Sequence, residues 1–167
     1  ETKEEKIALL EDKVQRSVAF FMNIQSRFLF ETRFYEERKN GIVPAARLNT
    51  LMEEAQREAY GDALDVVHPH FWASKLHFYI TGVPFYNFPY TFGYLFSLSI
   101  YAKALEEGSN FEEKYMALLR DTAIMSVEDL AMKHLGEDIT QEAFWEKGVS
   151  LCTKDVEEFL ALTVKED

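Results

Sequence analysis

Residues 77–96 read HFYITGVPFYNFPYTFGYLF, and this aromatic stretch decides between a strand and a helix at the centre of the chain. Of the 24 Phe, Trp and Tyr residues, 11 fall between Phe71 and Phe96. Aromatic residues occupy every second position through the second half of the stretch, and a period of two is typical of a strand. However, Pro89 would remove a ladder hydrogen bond, and Gly93 would weaken a strand interior. The stretch therefore predicts a loop that enters a helix near Pro89.

Helical spacing divides this segment into two faces. At about 100° per residue, Tyr90 and Tyr94 share one face. The roughly opposite stripe, which we expect to pack in the core, consists of Phe88, Phe92 and Phe96. The residues alone leave two interpretations of the tyrosines open. Their hydroxyls are neutral donors that could stabilise developing negative charge, or they are polar tips at the edge of a core.

Composition limits the classes of function. A chain of 167 residues with 47% hydrophobic residues is long enough to bury a core as one domain. Its net charge of −11 argues against a nucleic-acid or anionic-membrane partner, because both need basic patches. The single Cys152 cannot form an internal disulfide, and the charged start does not resemble a signal peptide. No apolar run approaches the length of a membrane span. We therefore expect a cytoplasmic protein.

The first part of the chain predicts one very long helix. Thr2 and Glu5 have the spacing of a capping box. Apolar residues then recur at helical intervals until Asn40-Gly41, a pair typical of a helix C-terminus. This predicts a helix of about 37 residues, on the order of 55 Å long.

Five or so shorter helices follow, which makes the predicted fold class all-α. They are expected at 44–61, 89–108, 109–124, 126–136 and from 140 onward. Ser109 with Glu112 has the spacing of a second capping box, and Ser126 is a further candidate cap. Gly148 is a weak point inside the last helix.

The middle of the long helix is apolar around much of its circumference. Such a helix is normally buried on several sides. It is either the central core helix of this domain alone or a helix that also packs against polypeptide outside these 167 residues. The second interpretation predicts partial exposure of Phe20, Phe21, Phe30 and Phe34.

Two histidines, His68 and His70, flank Pro69 in an irregular segment. Alternate residues of an extended chain point the same way, but a zinc site needs three or four ligands. We interpret both as polar loop residues and expect no metal to be held by this chain.

Several separated motifs resemble one known family. The segments are His77-Phe-Tyr79, Pro84 to Ser97, Phe28 to Arg38, Tyr60-Gly-Asp62 and Phe71-Trp-Ala73. Together and in this order they resemble the C-terminal part of the oligoendopeptidase F family of thimet-oligopeptidase-like zinc metallopeptidases. The resemblance extends over nearly the whole chain.

The resemblance implies a large all-α peptidase that hydrolyses short peptides. Its zinc is held by two histidines of a His-Glu-x-x-His helix and a glutamate from a following helix, and a catalytic glutamate activates the zinc-bound water. Downstream His and Tyr residues bind the peptide and stabilise the oxyanion. In that pattern His77, Tyr86 and Tyr90 match the catalytic residues, and Tyr79 and Tyr94 are candidate substrate contacts.

The chain departs from this pattern because it contains no His-Glu-x-x-His sequence. The resemblance therefore implies that residues 1–167 are a single helical unit, the C-terminal part of the catalytic domain. The zinc ligands are expected upstream, and the upstream part of the domain and an oligopeptide are the expected partners. We expect the 167-residue chain alone to be inactive, because such hydrolysis requires the metal.

Two other functions are compatible with the residues. One is a non-enzymatic helical domain that binds an apolar peptide or ligand in an aromatic groove. The other is a purely structural helical module of a larger assembly. A His-Glu-x-x-His sequence upstream would favour the peptidase over both.

Overall fold

The computed structural model describes residues 2–164, and this part of the chain is helical without a strand. This confirms the predicted all-α fold class. In chain order the elements are α1 (Lys3–Val18), a π-helical turn (Ala19–Asn23), α2 (Ile24–Arg38), α3 (Ala45–Tyr60), 3₁₀ turns at Phe71–Ser74 and Leu76–Tyr79, α4 (Phe88–Glu107), a 3₁₀ turn (Gly108–Asn110), α5 (Phe111–Asp121), α6 (Val127–Leu135) and α7 (Glu142–Thr163). None of the described helices is both long and apolar enough to span a membrane.

The long first helix is confirmed, with one feature that the sequence did not predict. The helical stretch from Lys3 to Arg38 has 36 residues. The Thr2 hydroxyl accepts from the Glu5 N–H at 3.2 Å, and the Glu5 carboxylate accepts from the Thr2 N–H at 2.8 Å, which is the predicted capping box. A π-helical turn separates α1 from α2. It alters the helical register, so the apolar residues before and after it do not continue one stripe.

Contacts divide the chain into two compact units, each described by itself below. We call residues 15–92 the site unit, and residues 2–14 with 93–164 the terminal unit. The unit boundaries fall inside α1 and α4. The interpretation of residues 1–167 as one part of a larger catalytic domain stays a prediction.

The site unit has its core between α2 and α3. Phe30, Leu51, Met52 and Ala55 are buried together, and partly buried aromatic residues of the following loop pack against them. Pro44 lies immediately before α3 in extended conformation, and Gly61 ends the helix with a left-handed φ of 58°. The predicted second helix is therefore confirmed.

The terminal unit is built from α5, α6, α7 and the parts of α1 and α4 that belong to it. Its buried apolar residues come from all five helices and include Leu10, Ile100, Leu118, Leu130 and Phe144. The Ser126 hydroxyl accepts from the Asp129 N–H at 3.1 Å, which confirms the predicted cap of α6.

Gly148 is more than a weak point of α7. It is buried, and a Cβ atom built at this position would lie 2.7 Å from Ser99 Oγ and 3.0 Å from Ser99 N. The missing side chain therefore allows α7 to approach α4 closely.

The prediction of a capping box at Ser109 and Glu112 was wrong. Residues 108–110 form a 3₁₀ turn, α5 begins at Phe111, and the preceding Asn110 makes no side-chain cap bond. The same helix was predicted to reach Ile124 but ends at Asp121. Thr122 is extended and Ala123 has a φ of 68°, and neither conformation continues an α-helix.

The Phe stripe of α4 is not a core face as a whole. Phe88 is 50% exposed, because it lies at the first turn of the helix and packs on one side against Phe28 and Phe92. Phe92 and Phe96 are partly buried. The fully buried residues of α4 are instead Ser99, Ile100 and Ala102.

The apolar middle of the long helix gives a mixed result. Phe30 is only 3% exposed and packs edge-on against Phe78, so the expectation that it faces outside polypeptide was wrong. Phe20, Phe21 and Phe34 are partly exposed. That polypeptide outside these residues covers them stays a prediction.

Candidate functional site

The candidate site lies on an irregular segment of the site unit between α3 and α4. Two 3₁₀ turns, Phe71–Ser74 and Leu76–Tyr79, were not predicted, whereas the loop from Tyr79 into a helix at Phe88 was. Large apolar side chains of this loop are exposed, among them Ile80, Val83 and Phe88. Exposed apolar side chains of this kind are available for contact with a ligand.

The three residues predicted as catalytic lie together. The rings of His77 and Tyr86 are stacked, with centroids 5.5 Å apart and an interplanar angle of 21°. Tyr90 packs edge-on against both rings, with centroids at 5.8 Å from each. His77 Nε2 and the Tyr90 hydroxyl are 3.4 Å apart, at the long end of hydrogen-bonding distance.

This cluster is open to a ligand. Tyr86 is 43% exposed and Tyr90 is 38% exposed, and His77 is half-buried. Phenol and imidazole groups that are not buried can exchange water for a ligand at little cost. The arrangement therefore presents two tyrosine hydroxyls and one imidazole from a single concentrated patch.

The backbone around Tyr86 orients its side chain, and the buried carboxylate of Glu31 holds this backbone in place. The preceding Phe85 has a φ of 57°, a left-handed conformation that costs a non-glycine residue about 1–2 kcal/mol. Its N–H donates to Glu31 Oε1 at 2.7 Å. The following Asn87 is fully buried, and its Nδ2 lies 3.5 Å from Glu31 Oε2. Glu31 thus fixes the residues on both sides of Tyr86.

Sequence reasoning missed Glu31. It lies 54 residues before Phe85, so no local pattern reports the contact. The available signal was an acidic residue inside the apolar run Phe28-Leu-Phe-Glu-Thr-Arg-Phe34, and it is only 3% exposed in the fold. A carboxylate that far from solvent needs hydrogen-bond donors, and the loop supplies them.

Arg27 adds positive charge beside this cluster and was also missed. Its guanidinium lies over the Phe71 ring at 5.3 Å and donates to Asn23 Oδ1 at 2.6 Å. Burial lowers the pKa of Arg27 below its usual value, and the nearby Tyr60 and Tyr90 oppose that shift. Its Nε is buried and, within residues 2–164, has no hydrogen-bond partner.

A second cation, Lys75, lies over the same Phe71 ring at 4.3 Å. Burial lowers the pKa of Lys75, and the charge of Arg27 lowers it further. Two cations around one ring repel each other, and such an arrangement favours the approach of negative charge.

The two candidate substrate contacts, Tyr79 and Tyr94, have other hydrogen-bond partners. Tyr79 is 55% exposed, and its hydroxyl donates to the Ala73 carbonyl at 3.2 Å within the loop. Tyr94 belongs to the terminal unit, where its hydroxyl lies 3.9 Å from Cys152 Sγ. The structure therefore groups His77, Tyr86 and Tyr90, and within residues 2–164 no hydrogen bond or ring contact joins Tyr79 to them.

The two histidines of the upstream loop are held by polar contacts. The His70 N–H donates to His68 Nδ1, and His70 Nε2 lies 3.2 Å from Asn49 Nδ2. Between residues 2 and 164, no three His, Cys, Asp or Glu side chains are grouped as metal ligands.

Comparison of the chain with protein-family models, with curated proteins and with solved structures gives no match.

Proposed function

We propose that this chain is the C-terminal portion of a zinc-dependent oligoendopeptidase and that it binds and polarises the peptide substrate. The observation that carries the proposal is the contact among His77, Tyr86 and Tyr90. These residues are separated by up to 13 positions in the chain, and the family resemblance predicts the same three as catalytic residues.

Within this proposal the two tyrosine hydroxyls and the imidazole donate hydrogen bonds to the oxygen of the scissile carbonyl. Negative charge develops on that oxygen in the tetrahedral intermediate, and donors already in position stabilise it. The partly buried cation Arg27 interacts electrostatically with Tyr90, and its positive charge is proposed to stabilise the same negative charge. The exposed apolar side chains of the loop are proposed to contact the peptide.

The proposed zinc ligands lie in polypeptide outside these 167 residues. In such peptidases the metal supplies an activated water and polarises the carbonyl. A cytoplasmic location is also part of the proposal, since Cys152 is a buried free thiol and disulfides are rare in that compartment.

The proposal is tested in a longer polypeptide that contains both residues 1–167 and the expected upstream His-Glu-x-x-His helix. Tyr90→Phe removes one donor and is expected to lower kcat for a quenched fluorescent peptide about 100-fold, the usual effect of losing an oxyanion donor. Tyr115→Phe, on α5, is the matched control and is expected to leave kcat unchanged. Unchanged kcat in Tyr90→Phe would refute the role of that hydroxyl.

A second measurement concerns the 167-residue chain alone. We expect no cleavage of the same peptide with or without added zinc, because the metal ligands are proposed to lie elsewhere. Zinc-dependent turnover by the purified chain would contradict this division of the active site.

One observation favours a non-enzymatic alternative. The site unit contains an aromatic cavity of about 190 Å³, which a peptide-binding domain could use without any metal. Absence of a His-Glu-x-x-His sequence from the upstream polypeptide would favour this alternative.

A further inference from the structure

The aromatic cavity of the site unit is lined mainly by aromatic residues and by one acidic residue. Six of the eight residues that line it are aromatic, among them Trp72, Phe78 and Tyr79. The remaining two are Leu48 and Glu31. A wall of rings with one acidic residue is unusual for a purely apolar pocket, because burying a carboxylate is costly.

The carboxylate of Glu31 is buried and is held by neutral groups. Its hydrogen-bond partners are the Phe85 N–H at 2.7 Å and the Asn87 amide at 3.5 Å, and both are neutral. None of the ion pairs among residues 2–164 includes it. Neutral donors satisfy the lone pairs but do not themselves cancel the negative charge.

The aromatic rings favour the same kind of ligand as the carboxylate. The faces of Trp, Tyr and Phe carry negative potential and attract ammonium and guanidinium groups, most strongly when these are desolvated. The methylene stem of a basic side chain suits the apolar part of the wall. Both features therefore select a cation on an apolar stem.

The size of the cavity limits the ligand further. An apolar cavity of about 150 Å³ can hold a benzene molecule. A volume of about 190 Å³ thus accommodates one side chain. The excess of acidic residues, 29 against 18 basic ones, also favours approach of a cation.

We propose that this cavity binds the positively charged side chain of a lysine or arginine residue of a peptide ligand. The inference rests on the proposed function only in taking the ligand to be a peptide, and it requires no hydrolysis. Glu31 then has two roles: it holds Phe85 and Asn87 from one side of the loop, and it supplies the counter-charge in the cavity.

The test uses Trp72 as a built-in reporter. Its indole N–H donates to Asn49 Oδ1 at 2.9 Å, and its ring lines the cavity. The chain has two tryptophans, so Trp145→Phe assigns the two indole signals in a ¹H–¹⁵N spectrum of the 167-residue chain. The probes are Nα-acetyl-lysine amide and Nα-acetyl-norleucine amide, which differ in the terminal ammonium.

We expect the lysine derivative to shift the Trp72 indole signal saturably, with an affinity about tenfold or more above that of the norleucine derivative. Glu31→Gln keeps an oxygen acceptor for the Phe85 N–H but removes the charge, and it is expected to reduce lysine affinity to the norleucine level. Glu36→Gln makes the same change of net charge at an exposed position of α2 and is expected to leave both affinities unchanged.

Three results would overturn the inference: equal affinity for the two derivatives, no saturable shift with lysine, or an equal loss of affinity in Glu36→Gln. The first two are measured on the parent chain and do not depend on how well Glu31→Gln folds. Because the readout is binding, its failure is distinguishable from a failure of the peptidase proposal, which is read from turnover.

Discussion

Glu137 in the terminal unit and Glu31 in the site unit have different kinds of partner, although the site unit also contains ion pairs such as that of Lys39 with Glu36. In the terminal unit, Glu137 pairs with Lys103 at 2.7 Å and lies 3.7 Å from Lys147, and the hydrogen bond from Lys103 holds the pKa of Glu137 below its usual value. In the site unit, Glu31 is held by neutral donors, and Arg27 is held by an asparagine and a phenylalanine ring.

The difference distinguishes charge used for stability from charge kept for a ligand. Paired carboxylates gain from their partners, whereas a desolvated charge without a counter-charge raises the free energy of the fold. Groups of that second kind concentrate at functional sites. The stability of the fold therefore explains the charges around the aromatic cluster less well than it explains the ion pairs of the terminal unit.

The most severe test of this comparison is Glu31→Ala. The substitution leaves the Phe85 N–H and the buried Asn87 amide without their acceptor, and each unsatisfied buried donor costs about 1–3 kcal/mol. We expect the free energy of unfolding, measured by urea titration, to fall by about 3 kcal/mol. The stacked contact of Tyr86 with His77 is expected to be lost with it.

Glu36→Ala is the control on the same helix. Glu36 is exposed and pairs with Lys39 three residues away, so its removal should change the free energy of unfolding by less than about 0.5 kcal/mol. A cost below about 1 kcal/mol for Glu31→Ala would mean that Phe85 keeps its left-handed conformation without the carboxylate.

The sequence predicted the features that local patterns encode. The capping box of α1, the Ser126 cap of α6, the glycine end of α3 and the entry into α4 all depend on residues within a few positions of each other. Glu31 and Arg27 could not be found in this way, because their contacts with the loop join distant segments. The cluster of His77, Tyr86 and Tyr90 was reached through the family resemblance, since helical spacing alone favoured Tyr90 with Tyr94.

Gly148→Ala tests whether close packing, as well as ion pairing, stabilises the terminal unit. A Cβ atom would lie 3.0 Å from the Ser99 backbone nitrogen and 3.2 Å from Leu95 Cδ1, so atoms must shift. Overpacking costs about 1–3 kcal/mol, and the gain in helix propensity returns about 1 kcal/mol at most. We expect a net loss of about 1–2 kcal/mol in the free energy of unfolding.

Gly93→Ala is the matched substitution in α4. No atom lies within 4 Å of the position that its Cβ would occupy. The change is therefore expected to stabilise the chain by up to about 1 kcal/mol. If both substitutions stabilised the chain equally, the close approach of α7 to α4 would not affect the free energy of unfolding.

Ser126→Ala tests the cap of α6 and the failed capping prediction together. The Ser126 hydroxyl accepts from the Asp129 N–H, and loss of such a cap costs about 1 kcal/mol. Ser109→Ala, at the position where a cap was expected but α5 does not begin, should cost much less. Thermal unfolding of the two variants measures the difference, and equal losses would show that Ser109 stabilises the chain in another way.

Asp121→Asn is expected to have the smallest effect, and its dependence on pH reveals the ion pairing of the terminal unit directly. Hydrogen bonds from Lys133 and from His134 lower the pKa of Asp121 in the folded chain. Because the folded pKa lies below the unfolded one, the pairing stabilises the fold fully above about pH 4 and is lost as the pH falls through the folded pKa.

The variant should therefore unfold at a lower temperature than the parent chain at pH 7, and the difference should shrink steadily as the pH falls below about 4. Asp65→Asn is the control, because Asp65 is exposed in the site unit and makes no ion pair within residues 2–164. Its difference from the parent should stay near zero at both ends of the range. A difference for Asp121→Asn that did not depend on pH would mean that Asp121 acts through neutral hydrogen bonds, and the contrast with Glu31 would then lose its electrostatic basis.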